Sequence, residues 1–326
     1  MKNKVLVIAS HSDKHIGLFA DLEECNNAIL HYVEPKNMGG LLSFMRRLYL
    51  SRRILRWRAD RPIPLQYIWY DYGKNVSLED VKAILVGNAC VDKVNMNYLL
   101  QCKSMGIPVY LLILDSVDSE SLTVIWNKSI YFSKVWSQVF SFDPEDAKKY
   151  GFIYRGFCYY SKNKLFPTEY SKDYDVYFTG NTKGCRADMI NGSYNYMTQN
   201  GCRCLFDVQL QHKKQTKCEG INYIKKWISY QEVLIRLSQS KCILEVIQKN
   251  QSGPSLRYFE AIFYNKKLLT NNKNIVSYPY YNPKWMRVIE KPEEIDLEWV
   301  RNNDDVDYHY NGEFSPTNFI NYLLEL

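Results

Sequence analysis

No two cysteines of this chain form a C-x-x-C pair, and the nine present are an odd number scattered from Cys25 to Cys242. Zinc sites need tighter ligand spacing, and disulfide frameworks belong to small secreted chains. The thiols therefore read as reduced packing residues of a cytoplasmic protein. No apolar run approaches the roughly 18 residues of a membrane span. The opening MKNKVLVIASHSDKH has too short an apolar stretch for a signal-peptide core. The expectation is a soluble protein, held at a membrane only by its surface if at all. No short-period repeat, low-complexity tract or Walker G-K-[ST] ending occurs. A net charge of +7 is too small for a protein coated for nucleic acid.

What is present is an ordinary globular composition, with 46% hydrophobic residues over 326 positions. That length suits about two domains at roughly 100–200 residues each. The 27 tyrosines and 7 tryptophans are an excess suited to stacking on flat or ring-shaped ligands. Short apolar runs (KVLVIAS, LQYIWYDY, KAILVGNA, VYLLILD, KVWSQVFSFD) alternate with helical patterns such as VDKVNMNYLLQCKSMG and PEDAKKYG. The polar stretch 161–174 reads as a boundary, after which the cycle restarts with DVYFTG, CRCLFDVQ, GINYIKKW, KCILEVI and KKLLTN as strands. Continuously apolar strands alternating with helices predict parallel sheets covered on both faces. The fold class is therefore α/β, with two Rossmann-like βαβ domains facing a cleft. The expected division is an acceptor domain over 1–165, a donor domain over 166–310, and a terminal helix over 311–326 packing back on the first.

The most informative stretch is KCILEVIQKNQSGPSLRYFEAIFYNKKLLTNN, residues 241–272. A buried strand runs into a loop with Gly253 and Pro254, and a helix starts near Ser255. The free amides and positive dipole of a helix start favour a diphosphate. Arg257 can fork onto phosphate oxygens, and Glu260 can accept two hydrogen bonds from ribose hydroxyls. The same residues also describe a surface capping box with a solvated glutamate. A second phosphate candidate is DVYFTGNTKGCR, where Gly180 ends a strand and Lys183 and Arg186 supply charge. Its plain reading is a tight turn. Tyr230, after GINYIKKW, can stack on a base or simply belong to the core.

The order of strand, glycine loop, R-x-x-E helix and LLTNN strand resembles the donor half of GT-B glycosyltransferases. More narrowly, it is similar to bacterial enzymes that build lipopolysaccharide and capsular polysaccharide. VFSFDPEDAKKYGFIY, DVYFTGNTKGCR and YQEVLIRLSQSKCILEV fit the same likeness, which covers about 80–280. It implies a nucleotide-sugar donor on the second domain and a lipid-linked or oligosaccharide acceptor on the first, with no cofactor beyond that co-substrate. Glu260 matches the ribose-binding acid, and Gln251, Ser252, Gly253, Ser255 and Leu256 match the segment facing the diphosphate. The first acid of the familiar glycosyltransferase pair is missing. Ser252 and Gly253 stand in its place, and Glu245 lies too far off to replace it.

Inverting transfer needs a general base for the acceptor hydroxyl. Asp115, at the end of VYLLILD, and His15, after the first strand, rank ahead of His11 and Asp143. The pairs Asp173/Asp175 and Asp305/Asp307 are misplaced for a cation-binding D-x-D, so no metal is expected. The stretch LLSFMRRLYLSRRILRWRADR, residues 41–61, holds seven arginines against one aspartate. Arg46, Arg47, Arg52, Arg53 and Arg56 interleave with apolar residues, a pattern suited to an anionic membrane surface or a lipid diphosphate. The alternative is a solvated face on a packed helix. Peripheral attachment to the inner face of the cell membrane is accordingly expected. The rival functions are transfer of phosphoglycerol or pyruvyl on the same fold, a basic nucleic-acid-binding protein, and a non-catalytic subunit.

Overall fold

The computed structural model describes residues 2–49, 51, 66–117, 130–156, 171–211, 215–248 and 251–326. Arg52, Arg53, Arg56 and most of the expected boundary segment lie outside the described residues. The chain divides into two compact units, Met1–Ser161 with Phe314–Leu326, and Lys162–Glu313.

The first unit is built around β1 (Lys4–Ser10), flanked by β2 (Ala28–Pro35) and β4 (Val81–Gly87), both parallel to it. Residues Val5–Ala9 are covered on both sides, which is why the strand is continuously apolar. The sheet continues with β5 (Val109–Ile113), β6 (Gln138–Ser141) and β7 (Ile153–Tyr154), and β3 (Tyr70–Asp71) pairs antiparallel on the outer edge of β2. Its order is β3-β2-β1-β4-β5-β6-β7. The described helices are α1 (Asp13–Phe19), α2 (Gly40–Tyr49), α3 (Met96–Ser104) and α4 (Pro144–Tyr150). Asp143 caps α4 through the amides of Glu145 and Asp146, and Gly151 ends it in the left-handed conformation that glycine adopts freely.

The second unit repeats the plan. It has β8 (Tyr174–Asn181), β9 (Cys204–Gln209), β10 (Asn222–Tyr223), β11 (Ser240–Glu245), β12 (Lys267–Thr270) and β13 (Met286–Val288). The order is β10-β9-β8-β11-β12-β13, and every paired strand is parallel. Its helices are α5 (Arg186–Gln199), α6 (Tyr230–Ser238), α7 (Leu256–Phe263) and α8 (Leu297–Arg301). One sheet face is apolar, with Val176, Phe178, Phe206, Val208, Cys242, Leu244 and Leu269 packed with residues of α5 and α8. Both units are thus Rossmann-like, as the strand–helix alternation predicts.

Several elements differ from the sequence reading. β2 is unforeseen, because AILHYVEP is only half-covered and its His31 and Tyr32 break the apolar run. LQYIWYDY is a 3-10 turn over Gln66–Trp69 followed by two strand residues. GINYIKKW contributes only Asn222 and Tyr223, as suits a short sheet edge.

The last helix, α9 (Pro316–Glu325), belongs to the first unit. Ser315 caps it and also donates its hydroxyl to Asp21 Oδ2 at 2.8 Å. Phe319 meets Phe140 edge-on at 5.1 Å, and the Arg155 guanidinium lies 3.9 Å over Tyr322. Phe319→Ala is expected to destabilise the first unit by about 3–5 kcal/mol, since it empties a buried aromatic site. Denaturant unfolding followed by near-ultraviolet circular dichroism checks this.

Candidate functional site

In an open parallel sheet, ligands bind outside the carboxyl ends of the strands where the strand order reverses. In the second unit that point lies between β8 and β11. At this end Gly180 stands near the end of β8, Lys183 in the loop after it and Arg186 at the start of α5, while the loop after β11 carries Gln251 to Ser255. The two loops are joined, because Arg186 reaches the Val246 carbonyl at 3.5 Å. Arg186 also donates through Nε to the Lys183 carbonyl at 3.2 Å and through Nη2 to Asn181 Oδ1. Burial lowers its pKa to about 10. Its hydrogen-bond acceptors are thus all neutral. Gly180 is required by its neighbour: a Cβ there would stand 2.8 Å from the Phe178 ring.

The sheet face under α6 and α7 is polar toward this end. Register pairs Thr179 with Asp207 and Glu245 with Thr270, and all four are buried. Asp207 receives both contacts of one Arg236 nitrogen, at 2.7 and 2.8 Å, and the Asn222 amide at 2.6 Å. Arg236 in turn pairs with Glu232 one helical turn away. Hydrogen bonds to both carboxylates outweigh burial and push the guanidinium pKa up.

Glu260 is completely buried, and Tyr230 donates its hydroxyl to Oε1 at 3.1 Å. Arg257, one turn earlier, pairs with Oε2. Tyr230, a candidate for stacking on a base, is therefore turned inward onto the carboxylate. Ser255 caps α7 through the Arg257 amide at 3.1 Å. Leu256 is the first helical residue. Gln251 donates to the Gly253 carbonyl at 3.1 Å, while Tyr278 and Asn274 both donate to the Ser252 carbonyl. The loop is thus latched from the segment after β12. The structure brings Gly180, Lys183 and Arg186 to one strand end, and Ser252 to Glu260 to the strand end joined to it.

The first unit has its own reversal between β1 and β4. His15 lies on α1, not in a loop, and its Nδ1 is 2.8 Å from the Ser12 hydroxyl. Burial, with Lys14 and Lys93 nearby, drops its pKa to about 3. His11, just after β1, places Nε2 3.3 Å from Glu34 at the end of β2. Glu34 was missed by the sequence reading because the strand that presents it was missed. Asp115 is exposed two residues beyond β5, and Asp143 is spent as the α4 cap. On α2, Leu41, Leu42, Phe44, Met45 and Leu48 are between 47% and 75% exposed, so the helix is not packed by its apolar side. Arg46 donates to the Lys36 carbonyl and Arg47 is exposed.

Asp175 lies inside β8, not before it, and is buried on the Arg203 amide and Lys241. Among the described residues no cluster of three or more His, Cys, Asp or Glu could hold a metal. None of the described helices is long and apolar enough to cross a membrane.

No family model and no curated protein matches the sequence. Among solved structures, the UDP-GlcNAc 2-epimerase from Methanocaldococcus jannaschii is similar with a TM-score of 0.50 at 12% identity, covering 99% of this chain and 100% of that one. The UDP-N-acetylglucosamine 2-epimerase from Rickettsia bellii gives 0.49 at 9%, covering 100% and 95%. The glycosyltransferase SnogD from Streptomyces nogalater gives 0.46 at 9%, covering 100% of both chains. At such identities the likeness is one of fold.

His15 supplies a pH test. Its folded pKa lies below the unfolded value, so the unfolded chain binds the extra proton. Stability is expected to be full above about pH 6.5 and to fall as the pH drops toward 3. In His15→Gln that part of the acid limb should disappear, read from urea midpoints between pH 7 and 4.

Proposed function

We propose that the chain is a glycosyltransferase that moves a sugar from a nucleotide-sugar donor, held by the second unit, to a growing surface glycan such as lipopolysaccharide, O-antigen or capsule. The observation that carries this reading is Glu260. It is a fully buried carboxylate one turn into a capped helix at the strand-order reversal, held by Tyr230 and Arg257. A carboxylate so placed accepts two ribose hydroxyls, while the helix start and Arg257 meet the diphosphate. Arriving phosphate draws Arg257 off Glu260 and frees Oε2 for the ribose.

In the reaction, the acceptor hydroxyl forms the new bond to the anomeric carbon as the bond to the diphosphate breaks. Lys183, Arg186, Arg257 and the Leu256 amide at the start of α7 stabilise the leaving charge, with no divalent cation. Within the first unit, His11, whose imidazole pairs with Glu34, is the candidate base for the acceptor proton. Asp115 is the second candidate. His15 is the weaker choice, because a pKa of about 3 makes it a poor proton acceptor. Epimerisation of the donor sugar is the rival reading, since the fold is shared with UDP-GlcNAc 2-epimerase. Product analysis separates the two, as only transfer consumes the acceptor. A phosphoglycerol or pyruvyl transferase would use other donors.

The direct test is thermal shift against UDP, CDP, GDP, ADP and dTDP in buffer containing EDTA. At least one should stabilise the protein, and Glu260→Gln should weaken that nucleotide by about 2 kcal/mol, roughly thirtyfold. Unchanged binding in the variant sinks the assignment. Binding that needs manganese sinks the metal-free mechanism.

The exposed apolar side of α2, beside the arginine-rich run 46–61, belongs in this reading on an anionic membrane where lipid-linked acceptors sit. Replacing Arg46, Arg47, Arg52, Arg53 and Arg56 with Gln should release the protein from phosphatidylglycerol vesicles. The expected loss is about 1 kcal/mol per arginine at low salt, with nucleotide affinity unchanged. A parent protein that ignores such vesicles contradicts the membrane reading.

A further inference from the structure

Glu245 ends β11 and is buried, yet no carboxylate-binding cation forms a salt bridge with it among the described residues. Its Oε1 accepts two hydrogen bonds from Ser255, from the backbone amide at 3.2 Å and from the hydroxyl at 2.5 Å. Its Oε2 accepts the Thr270 hydroxyl at 2.5 Å. Thr270 accepts the Asn272 amide at 2.9 Å, and Asn272 caps the following turn through the Asn274 amide. One carboxylate therefore ties together the end of β11, the cap of α7 and the end of β12. Burial pushes its pKa up, and these hydrogen bonds and the nearby Arg257 charge offset that only in part. Three neutral hydrogen bonds are a costly way to hold a buried acid unless its geometry is needed.

The consequence lies in Ser255. Its hydroxyl donates inward to Glu245 and accepts the Arg257 amide, so its orientation is set from both sides. The Ser255 amide is turned inward too, and the Tyr258 amide is taken by the Ser255 carbonyl at 3.2 Å. Of the amides at this helix start, that of Leu256 has no acceptor among the described residues. We propose that Glu245 is a positioning residue for the donor diphosphate: it locks Ser255 so that the Leu256 amide is presented to the phosphates. This rests on the reading that the second unit holds a nucleoside diphosphate. The distance in sequence between Glu245 and Glu260 then ceases to matter. In this reading Glu260 serves the ribose and Glu245 serves the Ser255 cap.

The test compares two probes, the nucleoside diphosphate with the largest thermal shift among UDP, CDP, GDP, ADP and dTDP, and its parent nucleoside. Calorimetry with Glu245→Ala should show the diphosphate weakened about thirtyfold, with the nucleoside within about twofold of the parent protein. Glu245→Gln should keep most of the affinity, because its amide oxygen can hold both Ser255 hydrogen bonds. Ser255→Ala, which leaves the strand core intact, should repeat the diphosphate-selective loss if Glu245→Ala does not fold. Equal weakening of both probes, in step with melting temperature, means a structural role and overturns the inference. So does Glu245→Gln as weak as Glu245→Ala. A parent that binds a diphosphate while Glu245→Ala and Ser255→Ala bind it equally well overturns the inference and leaves the donor site standing. A parent that binds none of the five overturns both.

Discussion

Three carboxyl groups, those of Asp207, Glu245 and Glu260, are buried on one face of the second sheet or in the helix that covers it, and each must have its oxygens answered by donors. An unpaired buried charge is prohibitive, and removing one partner of a buried pair costs about 3–5 kcal/mol. The answers differ. Asp207 takes a guanidinium and an amide, Glu260 takes a guanidinium and a phenol, and Glu245 takes hydroxyls and an amide. These partners come from β10, α6, α7 and β12, so satisfying the acids also fixes the helices over the sheet. The same bonds set the loop ends at the strand-order reversal. Site geometry and packing here are one problem.

The first unit solves a different one. Its sheet is apolar on both faces through β1, β4 and β5, and its chemistry-bearing residues stand at the rim. His11 and Glu34 are about half exposed, and their pairing is loose beside the buried network of the second unit. Under the proposed function, a unit with a buried, hydrogen-bonded polar network suits a donor whose phosphates and ribose are constant features. Under the same proposal, a rim of exposed side chains suits an acceptor hydroxyl that must give up a proton to a group open to exchange. The apolar side of α2 continues the contrast, since it leaves large side chains uncovered.

Much of the fold was legible because buried parallel strands are continuously apolar and their helices carry caps. KVLVIAS, VYLLILD and KCILEVI needed no tertiary information, and neither did the proline and glycine that bracket α4. β2 and β13 were not legible, since their strand character comes from neighbours rather than from their own half-polar sequences. The helix start at Ser255 was legible from its cap and charge pattern, as was the glycine at Gly180. The Tyr230–Glu260 bond joins residues thirty positions apart, and the Glu245–Ser255 bond joins two elements across a loop. Spacing rules in a linear sequence cannot express either. Glu245 was set aside on distance along the chain, whereas the β11 register with β12 and the return of the loop bring it to the helix cap. The ranking of His15 above His11 took no account of Glu34, because β2, which presents it, was not foreseen.

Hydrogen–deuterium exchange with and without a stabilising nucleoside diphosphate tests the central claim most directly, because it reads the backbone amides themselves. The account predicts slowed exchange in two stretches of the second unit, residues 180–186 and 252–260, with β1 to β7 unaffected. Protection confined to the first unit, or spread evenly over both units without those two stretches, would contradict it.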